Sequence, residues 1–101
     1  MAEKKFLAAI SVDAREDYQV LADNILEARK SRRMSQREMA DRCLMSLATY
    51  QAVERASLTV SFGALLSVLD TLELSHTLRD VAAPHRDAEG RALRIGKRPN
   101  R

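Results

Sequence analysis

A chain of 101 residues that is 46% hydrophobic and 4% aromatic can enclose one small core and has no material for a second. Its 3 glycines and 2 prolines are too few for the turns of a small all-β fold, and a single cysteine, Cys43, cannot close an internal disulfide. The net charge of +3 conceals a split: residues 1–83 hold 11 Lys and Arg against 12 Asp and Glu, whereas residues 84–101 hold 6 against 2. With no 18-residue apolar span and no signal-peptide succession, a cytoplasmic protein without membrane contact is expected.

Residues 1–17 read as an N-terminal arm, either frayed or a short helix around the apolar run from Phe6 to Ile10. From about Tyr18 to Arg33 the apolar residues Leu21, Ile25 and Ala28 recur at spacings of four and three, which predicts a first helix with Asp23, Glu27 and Lys30 facing water. Ser35 followed three residues later by Glu38 is a capping box, and it opens a short second helix that turns Met39 and Ala40 inward and ends near Cys43. Ser46 can cap a third helix, with Tyr50 and Val53 inward. After a loop filled by Leu58 and Val60, Ser61 can cap a fourth helix. Leu65, Leu66, Val68, Leu69 and Leu72 make that helix the most apolar of the set, which suits a core or an interface. A last helix is predicted from Ser75 through Leu78 and Val81, stopped by Pro84. The folded unit is thus placed at residues 18–83. Residues 84–101, PHRDAEGRALRIGKRPNR, carry too little apolar material to fold alone and read as a flexible basic C-terminal tail.

The run from Leu21 to Leu72, with ARKSRRMSQREMADRCLMSLATYQAVERA at its centre, resembles the helix-turn-helix domain of the lambda-repressor-like, or XRE-type, family. The match lies in an ordered set: a basic first helix, a hydrophobic residue then Ser-Gln, Ala in the middle of the second helix, a hydrophobic-Ser turn, and Glu near the end of the third. The resemblance implies an all-α, compact lambda-repressor-like bundle of about five helices that binds double-stranded DNA. Ala40 is small where the second and third helices cross closely. The resemblance puts Gln36 on backbone phosphate and pairs Arg29 with Glu54, tying the first helix to the third. Arg32, Arg33 and Arg37, clustered near the start of the second helix, are the further phosphate contacts expected.

If the third helix enters a major groove, its exposed face is Ser46, Leu47, Ala48, Thr49 and Gln51, with Arg55 further along. Gln51 has the amide that can bond adenine in a bidentate way; Ser46 and Thr49 offer hydroxyls, and Leu47 or Ala48 can meet thymine methyl groups. No arginine stands at the tip of that helix, so direct readout is expected to be modest. Two departures from the family pattern stand out, since glycine is usual at the positions of Leu44 and Ala56. A leucine with positive φ costs about 1 kcal/mol, which predicts a wider turn at Leu44 and an altered helix end at Ala56.

Other chemistry finds little support. His76 and His85 have no partner at metal-ligand spacing, Cys43 lies beside Leu44 and Met45 as a buried structural thiol would, and Gly90 and Gly96 form no phosphate loop. No metal, no cofactor and no enzymatic activity are expected. The following segment, TVSFGALLSVLDTLELSHTLRDVAAPHRDAEGRALR ending in GKRPNR, resembles antitoxins of the HipB type. That resemblance implies a homodimeric transcriptional repressor that binds its own operator and also holds a HipA-like kinase toxin. The alternative is a helix-turn-helix scaffold that acts only by binding a partner protein.

Overall fold

A computed structural model describes residues 5–96. Residues 1–4 of the expected arm and 97–101 of the expected tail lie outside the described residues. The order is α1 (Lys5–Ala8), α2 (Val12–Ser31), α3 (Gln36–Arg42), α4 (Leu47–Glu54) and α5 (Phe62–Thr71), then 3-10 helices Ser75–Asp80 and Pro84–Arg86, then α6 (Ala88–Gly96). Among the described residues there is no strand, and no helix is long and apolar enough to cross a membrane.

Serine opens α2, α3, α4 and α5. Ser11, Ser35, Ser46 and Ser61 each hold extended backbone and accept the N–H three residues on, which satisfies one donor that the first turn leaves unpaired. At Ser35 the Glu38 carboxylate also reaches back to the Ser35 N–H at 2.7 Å, completing the capping box. Because Ser11 caps α2, that helix starts at Val12, inside the stretch expected to be an arm. The predicted last helix is a 3-10 helix, and the stretch read as an unstructured tail forms α6 across residues 88–96.

Four of the helices also end alike. Arg33, Leu44, Ala56 and Glu73 follow the helix ends with φ of 58, 57, 56 and 63°, and none is glycine. Each end carries the paired hydrogen bonds of a Schellman motif: after α3, for example, Leu44 N–H donates to Asp41 O and Met45 N–H to Ala40 O. The turn between α3 and α4 therefore keeps the tight left-handed form, and the wider turn expected from Leu44 is not formed. The helix end at Ala56 keeps the same geometry.

These compact ends let four helices share one core. Ala22 and Ile25 of α2, Met39 and Ala40 of α3, Tyr50 and Val53 of α4, Val68 and Leu69 of α5, and Leu72 beyond it are buried. α4 packs against α2, α3 and α5, so the helix expected to read DNA is held from three sides. Burying a side chain such as Val53 contributes roughly 1.5–3 kcal/mol. Leu66, read from the sequence with the apolar side chains of α5, is instead exposed, as is Phe62 one turn before it.

Candidate nucleic-acid interface

Beneath the outer face of α4 lies a polar network centred on one buried carboxylate. Glu54 accepts from Arg29 Nε at 2.7 Å and from Arg29 Nη2 at 3.2 Å, across from α2. It also accepts from the Tyr50 hydroxyl one turn earlier on α4, and from Gln36 Nε2 at 2.9 Å. Arg29 Nη1 donates to Met34 O at 2.8 Å, which binds the turn after α2 to the same centre. Burial alone would raise the Glu54 carboxyl, but hydrogen bonds from Arg29, Tyr50 and Gln36 outweigh it and hold the group below its ordinary range. Arg29 is raised by its hydrogen bond to Glu54, against the opposing effect of burial. Tyr50 is pushed well above the usual phenol range, first by burial and then by the bond to Glu54. A buried ion pair satisfied on this many sides fixes the placement of α4 on α2.

The network also sets the direction of two amides. An ionised carboxylate only accepts, so Gln36 must present its NH2 to Glu54 and its carbonyl oxygen the other way. That oxygen accepts from Gln51 Nε2 at 3.1 Å. Gln51 keeps its own carbonyl oxygen and one amide hydrogen for a further partner, which is the pair of groups that adenine N6 and N7 require. Gln36, Gln51, Glu54, Leu26 and Arg55 line a shallow cleft of about 370 Å³.

The other expected contact residues separate into two groups. Ala48 and Thr49 are exposed, and Leu47 and Gln51 are half-buried. Arg33 and Arg37 are exposed on either side of Ser35. Ser46 and Arg32 are occupied by structural bonds. The Ser46 hydroxyl accepts from Thr49 N–H at 3.0 Å and donates to Thr49 Oγ1 at 2.9 Å, which leaves Thr49 as the hydroxyl with a hydrogen to give outward. Arg32 donates to Ala28 O at 2.7 Å and to Leu72 O at 3.0 Å, joining the ends of α2 and α5, so a role as phosphate ligand competes with two bonds already made. Sequence reasoning missed the hydroxyl of Tyr50, read as a core side chain only. The spacing of four between Tyr50 and Glu54 on one helix face was the signal for it. Among the described residues no cluster of His, Cys, Asp and Glu has the arrangement of a metal site.

No curated protein and no solved structure matches the chain significantly. A family model described as a helix-turn-helix domain matches residues 20–82. The matched stretch takes in most of α2, all of α3, α4 and α5, the serine caps of the last three and the Arg29–Glu54 centre that joins α2 to α4. With well over half its length inside that match, the chain belongs to the helix-turn-helix domain family.

Proposed function

We propose that this protein is a sequence-specific DNA-binding transcriptional repressor that acts in the cytoplasm, with residues 18–83 as its DNA-binding unit. α4 enters the major groove and presents Gln51, Thr49, Ala48 and Leu47 to the bases, while Gln36, Arg33 and Arg37 meet backbone phosphates. The observation that carries this reading is the chain from Glu54 through Gln36 to Gln51. It orients a bidentate amide on the outer side of a helix locked to its neighbours. The repressor works as a homodimer, since a unit of this size reads only a short half-site. The likeness of residues 59–101 to HipB-type antitoxins supports the finer reading, in which it represses its own operon and holds a HipA-like kinase toxin.

Fluorescence-anisotropy titration on the duplex upstream of its own gene and on a scrambled duplex tests the DNA reading. Gln51→Ala is expected to lower affinity for the first duplex about tenfold or more, in line with the 1–3 kcal/mol of a good bidentate contact, and to leave the second unchanged. Leu47→Ala does less, having no polar atom to lose. Equal losses on both duplexes would show that α4 reads no bases and would favour a scaffold that acts only through a protein partner. Co-purification with the product of an adjacent kinase gene tests the antitoxin role.

A further inference from the structure

We propose that Glu54 is a positioning residue that decides, through two side-chain amides, which base Gln51 reads: its carboxylate selects adenine, and a neutral amide in its place selects guanine. The inference rests on the DNA-binding reading and adds to it a determinant that lies beneath the recognition helix. Glu54 is buried, and the four hydrogen bonds to its carboxylate all come from donors. Oε2 accepts from Arg29 Nε and the Tyr50 hydroxyl, and Oε1 accepts from Arg29 Nη2 and Gln36 Nε2. Among the described residues no buried side-chain nitrogen or oxygen lacks a partner, so the network is closed and its polarity is set from one end. Gln36 turns its NH2 inward, its oxygen accepts from Gln51 Nε2, and Gln51 keeps a carbonyl oxygen and one amide hydrogen. One acceptor beside one donor complements adenine N6 and N7. Guanine offers two acceptors, O6 and N7, and would set one of them against the Gln51 oxygen.

A side chain that can donate reverses this relay. In Glu54→Gln the oxygen stays at the Oε2 site, where Arg29 Nε at 2.7 Å needs an acceptor, and the longer contact from Arg29 Nη2 at 3.2 Å is given up. The new NH2 then takes the Oε1 site, 2.9 Å from the end of the Gln36 side chain. Gln36 accepts it through its oxygen and turns its NH2 to Gln51, 3.1 Å away. Gln51 accepts in turn through its carbonyl and shows both amide hydrogens outward, the two donors that guanine O6 and N7 require. The backbone stays where it is, since each step is a half-turn of a terminal amide about a broad, two-fold torsion.

The test titrates the full chain by fluorescence anisotropy against the duplex upstream of its own gene and a set in which each A·T pair is changed in turn to G·C. The position read by Gln51 is the one whose change weakens the parent about tenfold or more and no longer matters in Gln51→Ala. There, Glu54→Gln is expected to bring the two duplexes within about threefold of each other or to favour guanine. Val53→Ala, a buried core change on the same helix, is expected to lower the melt and keep the adenine preference. A folded Glu54→Gln that keeps the parent's preference overturns the proposal. So does an equal loss in Val53→Ala, because loosening α4 would then suffice. Gln36→Met covers the case in which Glu54→Gln does not fold, since it cuts the relay and leaves Arg29, Tyr50 and Glu54 bonded to one another. Losing a phosphate contact at Gln36 weakens both duplexes alike, so a fall in their ratio reports the relay and an unchanged ratio overturns it. If Gln51→Ala erases a preference that Glu54→Gln and Gln36→Met both keep, the relay alone is wrong. If no A·T position depends on Gln51, the base reading falls and the relay with it.

Discussion

Arg32 and Arg37 carry the same charge a few residues apart, yet their surroundings give them different work. The Arg32 guanidinium bridges the carbonyls of Ala28 and Leu72, two helix ends where positive charge is favoured, whereas Arg37 stands exposed on the first turn of α3. Arg32→Ala is therefore expected to lower stability by about 1–2 kcal/mol, and Arg37→Ala to leave the melting temperature unchanged while making the salt slope of DNA binding shallower by about one. Thermal melts and salt titrations on both variants check this, and a melt unchanged by Arg32→Ala would contradict the bridging role. The difference was not legible in the sequence, because Leu72 lies 40 residues from Arg32 and only the folded chain brings its carbonyl within reach. Gln36, Arg29 and Glu54 could be named from the resemblance to the XRE-type pattern, and Gln51 from its place on the exposed face of the third helix. What neither could supply was their linkage, since the direction of each amide follows from the Glu54 carboxylate at the far end.

At the scale of elements, starts were easier to read than ends. Ser35, Ser46 and Ser61 announced α3, α4 and α5 because a serine cap acts over three residues of local chain. Ends depend on backbone conformation, and the usual signal, glycine, is missing where α2, α3, α4 and α5 end. Leu44 shows the conflict: its backbone takes φ 57° and the residue is 93% exposed, so no burial offsets the strain. The left-handed turn persists because it satisfies the carbonyls of Ala40 and Asp41 and turns Met45 onto the core. Removing the strain should stabilise the protein. Leu44→Gly and Ala56→Gly are each expected to add about 0.5–1 kcal/mol, after the greater freedom of glycine in the unfolded chain is subtracted, and to raise Tm by about 3–6 °C. Calorimetry on the single and double variants checks this. The sites lie on separate turns, so roughly additive gains are expected. α6 gives a weak sequence signal for a related reason, since Asp87 before it accepts the Gly90 N–H only because Gly90 leaves that carboxylate space.

The molecule as a whole leaves one apolar strip uncovered on its most apolar helix. Phe62 is 63% exposed and Leu66 39% exposed, one turn apart on α5, although Val68 and Leu69 on the same helix are buried. A Cβ at Gly63, between them, would make only an ordinary contact, with Ser61 Oγ at 3.8 Å, and with Leu66, Ser67, Asp70 and Ser75 this glycine lines a shallow groove of about 470 Å³. Single exposed leucines need no explanation, but an aromatic and a leucine side by side over a groove form a surface that a second copy can cover, each inserting its Phe62 beside the other's Gly63. We therefore expect the proposed homodimer to use this face. Its effect on DNA binding follows from linkage: a dimer engages two half-sites at once, so the second contact forms at the high effective concentration set by the first. Phe62→Glu places a charge at the centre of the strip without touching the core, so the variant should fold normally. It should sediment as a monomer at concentrations where the parent is dimeric, and bind the upstream duplex about tenfold or more weaker, with little change on a duplex carrying a single half-site. A parent that sediments as a monomer at tens of micromolar, with and without DNA, would remove the dimer altogether. A variant that stays dimeric would move the interface off α5, to the exposed Val81 or to the apolar residues of α1 and α2.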